Sequence, residues 1–390
     1  MRNTLIISIA YATKREVPPV LKPIIEYIKN TDKIYIGICL ACSALSVVTL
    51  FSIGQSMMNG NYRQAIVQLG ATVIGLVVAI FLSVLDYHAM AEAWKFHAAI
   101  TWGLVLLTFI IGYAPPGTSN KAWIQLPFGG LSLQPTELAK ISFILSFAFH
   151  LSWVKEKVNE PKTLLQLLLH MGAPALLIIL QGDDGTMIIF VMIAITMLFA
   201  ARISYKYIVA GIGAAVVGAP LLWFFYLGDY QKGRILALLY PEEYPAIIWQ
   251  QAQGRISIGA GQIFGKGFFD VEHHVVPLAH NDFIFAYIAE SIGFIGCMAL
   301  LIMLLILAFK TLTTAARSED RLGYYICVGI FGMLIWQSVV NIGMCLSLLP
   351  VIGITLPLFS AGGTSVVTTY IAVGIVLSVY MHNKQKLFNE

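Results

Sequence analysis

The chain has 390 residues, of which 58% are hydrophobic and only 11% charged, with a formal net charge of +4. A soluble domain carries roughly 25% charged residues, so this composition excludes a water-soluble globular fold, and so mild a positive balance is no nucleic-acid footprint. Apolar runs near the length of a bilayer crossing recur along the whole chain, which makes it a single all-α integral membrane domain, 1–390.

In chain order, residues 1–32 form an N-terminal segment expected on the cytoplasmic side. Its apolar stretch, Leu5 to Ala10, is short and is followed by Lys14, Arg15 and two prolines, unlike a cleavable signal peptide. About ten transmembrane helices are predicted. They lie near 33–54, 65–85, 96–113, 136–153, 163–181, 185–201, 205–227, 283–309, 322–349 and 357–381. The five cysteines all fall inside apolar runs, so a disulfide framework is not expected. Cys39 and Cys42 make a CxxC, but within a span they read as small packing residues. With a cytoplasmic N-terminus, about 17 of the 24 Lys and Arg residues fall inside and about 7 outside, as the positive-inside rule requires. The inside set includes Arg2, Lys14, Arg15 and Lys22, and both termini are predicted cytoplasmic.

One long extracytoplasmic loop, 228–282, separates spans seven and eight. It carries Tyr230, Lys232, Arg234, Arg255 and Lys266, a glycine series, three histidines and, at its end, Asp282. An acid at a helix mouth facing a cationic loop suits chemistry on an anionic, lipid-borne substrate. Asp282 can equally be a helix N-cap, and the residues alone leave both readings open. Arg234, Arg255 and Lys266 can grip phosphate oxygens, or snorkel to lipid headgroups. Gly265-Lys266 is no P-loop, since Ala260 stands where the first glycine belongs and Gly267 replaces the Ser or Thr. Glu137 and Lys140 open the fourth span at i, i+3. They form either a structural ion pair or a pyrophosphate-facing lysine oriented by its neighbour. Asp183 and Asp184, in an outer turn, read as turn formers or as oxygen ligands of a divalent cation. His273, His274 and His280 with Glu272 match no closed zinc spacing.

These residues lie in longer strings: Trp-Ile-Gln-Leu (123–126), Leu-Gln-Pro-Thr-Glu-Leu-Ala-Lys (133–140), Gly-Asp-Asp-Gly-Thr (182–186), Ala-His-Asn-Asp-Phe-Ile-Phe-Ala (279–286) and Asn-Ile-Gly-Met (341–344). The last is Leu-Pro-Val-Ile-Gly-Ile-Thr-Leu-Pro-Leu-Phe-Ser-Ala-Gly-Gly-Thr-Ser (349–365). Together, from about Ile34 to Val379, they resemble the SEDS family (shape, elongation, division and sporulation), with the elongation branch nearest and the division and sporulation branches close by. The chain departs from the family's usual Arg-Trp at Ala122-Trp123 and from Pro-Asp-Leu-Gly-Thr at 182–186.

The resemblance implies an inverting peptidoglycan glycosyltransferase polymerising lipid II at the outer face of the bacterial cytoplasmic membrane. It implies that Asp282, the carboxylate of the family's His-x-Asp-Phe motif, is the essential catalytic residue. Arg234, Lys140, Glu137, Arg255, Lys266 and Trp123 become substrate- or pyrophosphate-binding candidates, and Asp183 and Asp184 candidate ligands of a divalent cation, Mg or Mn. A class B penicillin-binding protein, a transpeptidase, is the implied partner. A flippase or transporter of the same lipid, and a scaffold that only recruits the partner, are the competing readings. The first predicts charges along a mid-membrane path; the second predicts that Asp282 tolerates change.

Overall fold

The structure, a computed structural model, describes residues 27–114, 120–127, 131–269 and 272–387; the basic residues Arg2, Lys14, Arg15 and Lys22 lie outside them. The described chain is a bundle of α-helices. They are α1 (Lys33–Ser56), α2 (Arg63–Val84), a short α3 (Tyr87–Glu92), α4 (Trp94–Ile111), α5 (Pro135–Val154), α6 (Pro161–Leu180), α7 (Asp184–Ala200), α8 (Tyr205–Leu221), α9 (Asp229–Leu239), α10 (Pro245–Ala260), α11 (Ile284–Ala316), α12 (Arg321–Cys345) and α13 (Gly363–Leu387). Between α4 and α5 two residue pairs form a small antiparallel ladder, β1 (Ile124–Gln125) with β2 (Ser132–Leu133).

Nine helices are long and apolar enough to cross a membrane, and the shorter apolar helix α7 stands among them. The ten predicted spans are therefore all present as helices. Two boundaries need correction. The ninth and tenth spans were predicted to reach 349 and to begin at 357, but α12 ends at Cys345 and α13 begins at Gly363. The apolar segment between them contains Pro350 and Pro357, and Ser347, Gly353 and Leu358 have positive φ, so it cannot continue either helix. Leu356, Leu358 and Phe359 are instead buried against the bundle. Their hydropathy records packing within the protein, not contact with lipid.

α5, α12 and α13 form the middle of the bundle, whereas α8 buries no residue. With lipid as apolar as leucine, helix association depends on small residues and on interhelical hydrogen bonds. Both are present. A Cβ on Gly75 of α2 would lie 2.8 Å from the ring of Tyr370 in α13, and one on Gly374 2.7 Å from the Ala79 carbonyl. Tyr35 of α1 bonds Thr311 of α11 at 2.8 Å, Ser43 bonds Tyr370 at 2.8 Å, and the Trp336 indole donates to Thr196 at 3.0 Å.

The long loop is itself largely structured. α10 packs on α11, and the buried Gln251 amide donates to the carbonyls of Met344 and Leu349, both at 2.9 Å. α11 is broken at Gly293, where φ is 66° and ψ −169°. Residues 262–267 replace the lost helical bonds: Lys266 and Gly267 N–H donate to Glu290 and Ser291, while Phe294 and Ile295 N–H donate to Gln262 and Ile263. Non-helical backbone at membrane depth is tolerated when the protein satisfies it in this way. A Cβ on Gly293 would sit 2.3 Å from the Gly265 nitrogen, so glycine is required there.

Candidate functional site

The first turns of α5, α7 and α11, the end of α12 and the 346–362 segment meet at one end of the bundle, together with α9. Asp282 precedes α11. The helix takes Phe283 as its N-cap residue and has no side-chain cap, so the capping alternative for Asp282 does not hold. The Asp282 carboxylate has no hydrogen-bond or ion-pair partner among the described residues. It is partly buried, and the backbone of Gly353 lies against it: a Cβ there would be 3.6 Å from Oδ2. Burial lifts the Asp282 carboxyl from its ordinary value to about 6; the negative charge of Asp183 adds to the rise and Arg234 opposes it. This is where a general base working near neutral pH should titrate.

Arg234 projects from α9, its guanidinium 4.5 Å from the ring centre of Tyr230 and donating to the Tyr230 hydroxyl at 3.0 Å. Both contacts lie on its own helix, so the cation is oriented but has no carboxylate ion-pair partner among the described residues.

Asp183 is buried and caps α7, accepting from Thr186 N–H at 3.0 Å and from Gln134 Nε2 at 3.2 Å. Burial raises its carboxyl, against the pull of the Thr186 amide. Asp184 turns elsewhere and ties α7 to α9, accepting from Gln231 Nε2 at 2.5 Å and from the Tyr226 hydroxyl at 3.4 Å. Adjacent in sequence, the two carboxylates thus serve separate contacts. Among the described residues no group of three or more His, Cys, Asp or Glu side chains is arranged to hold a metal ion.

Glu137 and Lys140, on the first two turns of α5, form an ion pair at 2.8 Å with both side chains buried. Their charges reach Asp183, which places the pair behind the Asp282 end of the bundle, but Lys140 is not at the surface. Lys266 belongs to a second cluster. Its ammonium lies 2.7 Å from Glu290, a fully buried acid of α11 that also accepts from Ser257 at 2.6 Å and bonds His274 Nδ1 at 2.9 Å. Lys140 and Lys266 are therefore each already paired with a carboxylate. Arg255 is exposed on α10 with no charged partner among the described residues. Trp123 is half-buried, its carbonyl accepting from Tyr113 N–H at 2.9 Å. The structure thus draws Asp282, Arg234, Asp183, Glu137 and Lys140 together, and leaves Lys266, Arg255 and Trp123 outside that group. Two of the glycines prominent in the sequence serve packing: Cβ atoms on Gly254 and Gly261 would meet Phe283 at 3.0 Å and the Ala289 carbonyl at 2.0 Å.

Glu290 escaped the sequence reading, although a lone acid inside an apolar span was a visible signal. Asn341 had no assigned role, yet its amide donates to the Asp282 carbonyl at 2.9 Å.

Comparison with known proteins gives a consistent result. The cell cycle protein family FtsW/RodA/SpoVE matches residues 32–385. The chain is 32% identical over 368 residues to a probable peptidoglycan glycosyltransferase FtsW of Geobacter metallireducens, covering 91% of this chain and 96% of that one. It is 32% identical over 364 residues to the peptidoglycan glycosyltransferase MrdB of Escherichia coli, covering 91% and 95%. Among solved structures, a chain of a peptidoglycan synthase complex that coordinates polymerization and crosslinking superposes with a TM-score of 0.77 at 25% identity, over 91% of this chain and 99% of that one. The rod shape determining protein RodA of Thermus thermophilus shares the fold, with a TM-score of 0.64 at 24% identity over 90% and 96%.

Proposed function

The chain belongs to the FtsW/RodA/SpoVE family of membrane-embedded cell cycle proteins, and from that premise we propose that it is a peptidoglycan glycosyltransferase whose base is Asp282. The observation that carries the role of Asp282 is its carboxylate: uncapped, unpaired among the described residues, partly buried, and lifted to about 6. The names of the relatives support the activity.

In the proposed reaction the acceptor's GlcNAc 4-hydroxyl gives its proton to Asp282, and the oxygen attacks C1 of the donor's MurNAc. The bond from C1 to the pyrophosphate oxygen breaks, undecaprenyl pyrophosphate leaves, and the configuration at C1 inverts. The leaving group is already stable as an anion, so one carboxylate suffices. Arg234 stands nearest for the departing charge; Lys140 contributes its field from behind, and Arg255 is the next exposed cation along the loop. A divalent cation, Mg or Mn, is proposed to arrive with the pyrophosphate, and no step is assigned to it. Both termini are proposed to be cytoplasmic, which puts Asp282 on the outer face. A class B penicillin-binding protein is the proposed partner, a reading supported by the complex to which the fold is similar.

Polymerisation of purified lipid II, followed as glycan strands on a gel with and without the transpeptidase and with chelator, tests this reading. Because the base must be ionised, activity is expected to rise with pH to a plateau, half-maximal near about 6, and to be lost below it. Asp183→Asn keeps a good helix cap but removes the charge that raises Asp282, so the midpoint should fall. A rate independent of pH between 5 and 8 would contradict the assignment, and an unmoved midpoint in Asp183→Asn would assign the raised Asp282 carboxyl to burial alone.

A further inference from the structure

Asn341 of α12 is fully buried. Its Nδ2 donates to two backbone carbonyls, that of Asp282 at 2.9 Å and that of Ile354 at 2.7 Å. Its Oδ1 is buried with no partner among the described residues. Half-satisfying a buried amide costs stability, so packing alone would be better served by an apolar side chain there; what Asn341 supplies is a donor for the two carbonyls. What they flank is informative. Ile354 follows Gly353, the residue whose backbone lies against the Asp282 carboxylate. One side chain therefore ties the backbone of Asp282 to that of the residue next to Gly353.

The same turn is held from the other side. The Ser360 hydroxyl donates to the Asn281 carbonyl at 2.7 Å and accepts from Leu356 N–H at 2.8 Å. Ala361 N–H donates to the His280 carbonyl at 2.8 Å. Three successive carbonyls, 280 to 282, are thus fixed by residues of α12 and of the segment that follows it.

We propose that Asn341, with Ser360 in support, is a positioning residue for the glycosyl transfer. It sets the place of the Asp282 carboxylate against Gly353 without touching substrate. The inference rests on the reading of Asp282 as base. The charged and titratable groups facing that carboxylate are Asp183 of α7, Arg234 of α9 and the Cys345 thiol of α12, with His280 on its own turn. None is altered by substituting Asn341 or Ser360.

The test uses full-length protein purified in detergent and lipid II as substrate, with wild type, Asp282→Asn, Asn341→Ala and Ser360→Ala compared for kcat, KM, pH midpoint and folded fraction. Misplacing a reacting group by about 1 Å costs on the order of 100-fold. Asn341→Ala is expected to lose about 10- to 100-fold in kcat, with KM within about twofold. Its pH midpoint should move down from about 6 towards the ordinary carboxylate value as the turn loosens into water. Ser360→Ala should move in the same direction by less, and keeps the test open should Asn341→Ala fail to fold. If wild type and Asp282→Asn polymerise equally, the reading of the base fails and this inference with it. If Asp282→Asn is dead while Ser360→Ala and any folded Asn341→Ala keep the wild-type kcat and midpoint, the inference alone is overturned. It is equally overturned if their activity falls only in proportion to folded protein with the midpoint unmoved.

Discussion

Asp282→Asn is expected to abolish glycan-strand formation from lipid II while leaving the folded protein intact or more stable. Removing a general base costs about 10²- to 10⁴-fold, and with no second carboxylate seated on that turn the loss should lie towards the upper end. The substitution is nearly isosteric, and it breaks no side-chain contact, since the carboxylate has none among the described residues. Its effect on stability has a definite sign. Folding raises the Asp282 carboxyl to about 6, so the folded state disfavours the ionised form. The unfolded chain loses the proton first, and folding is penalised as pH rises through the ordinary carboxylate value to about 6 and above. An uncharged side chain removes that penalty, so at pH 7.5 Asp282→Asn should melt at or above the wild-type temperature. Activity lost without stability lost is the signature of a reacting group; a variant that melts lower and retains activity would make Asp282 structural.

Lys140→Met is expected to be the most destabilising single change at this end of the bundle. It leaves Glu137 buried without its partner, 2.8 Å away in the native pair. Breaking a buried ion pair from one side costs about 3–5 kcal/mol, because the stranded carboxylate must stay dry and charged or take up a proton. Replacing both partners by apolar residues of similar volume, Glu137→Leu with Lys140→Met, should restore most of that loss, measurable as thermal unfolding in detergent. The stable double variant then separates the two roles of the pair. Retained polymerisation assigns it to packing. Lost polymerisation at full stability assigns the Lys140 charge to the departing pyrophosphate.

Hydropathy made the bundle legible because each span is apolar over most of its length, and α7, only 17 residues long, was still found. It failed between α12 and α13, where Leu356, Leu358 and Phe359 are apolar for burial in protein, a distinction hydropathy does not draw. The prolines and glycines of that segment carried the missing signal. Asp282 and Arg234 were readable as candidates because an acid at a helix mouth and a cation on a polar loop stand out against apolar sequence. Lys266 was ambiguous for a different reason. Its partner Glu290 is 24 residues away, and only a bend at Gly293 and the return of residues 262–267 onto α11 bring them together. The separate duties of Asp183 and Asp184 were also invisible, since neighbouring residues at a helix start point in different directions once the helix begins. Asn341 illustrates the limit most clearly: a buried amide acquires meaning only when the carbonyls it bridges are known.

The account depends on position 282 facing the outside and being within reach of lipid-borne substrate. Asp282→Cys in spheroplasts, treated with a membrane-impermeant maleimide, measures both directly, and the five native thiols, all buried, give a low background. The account predicts labelling from the outer side, slowed when lipid II is present. Labelling from the cytoplasmic side alone, or none from either side until the protein is unfolded, would contradict it.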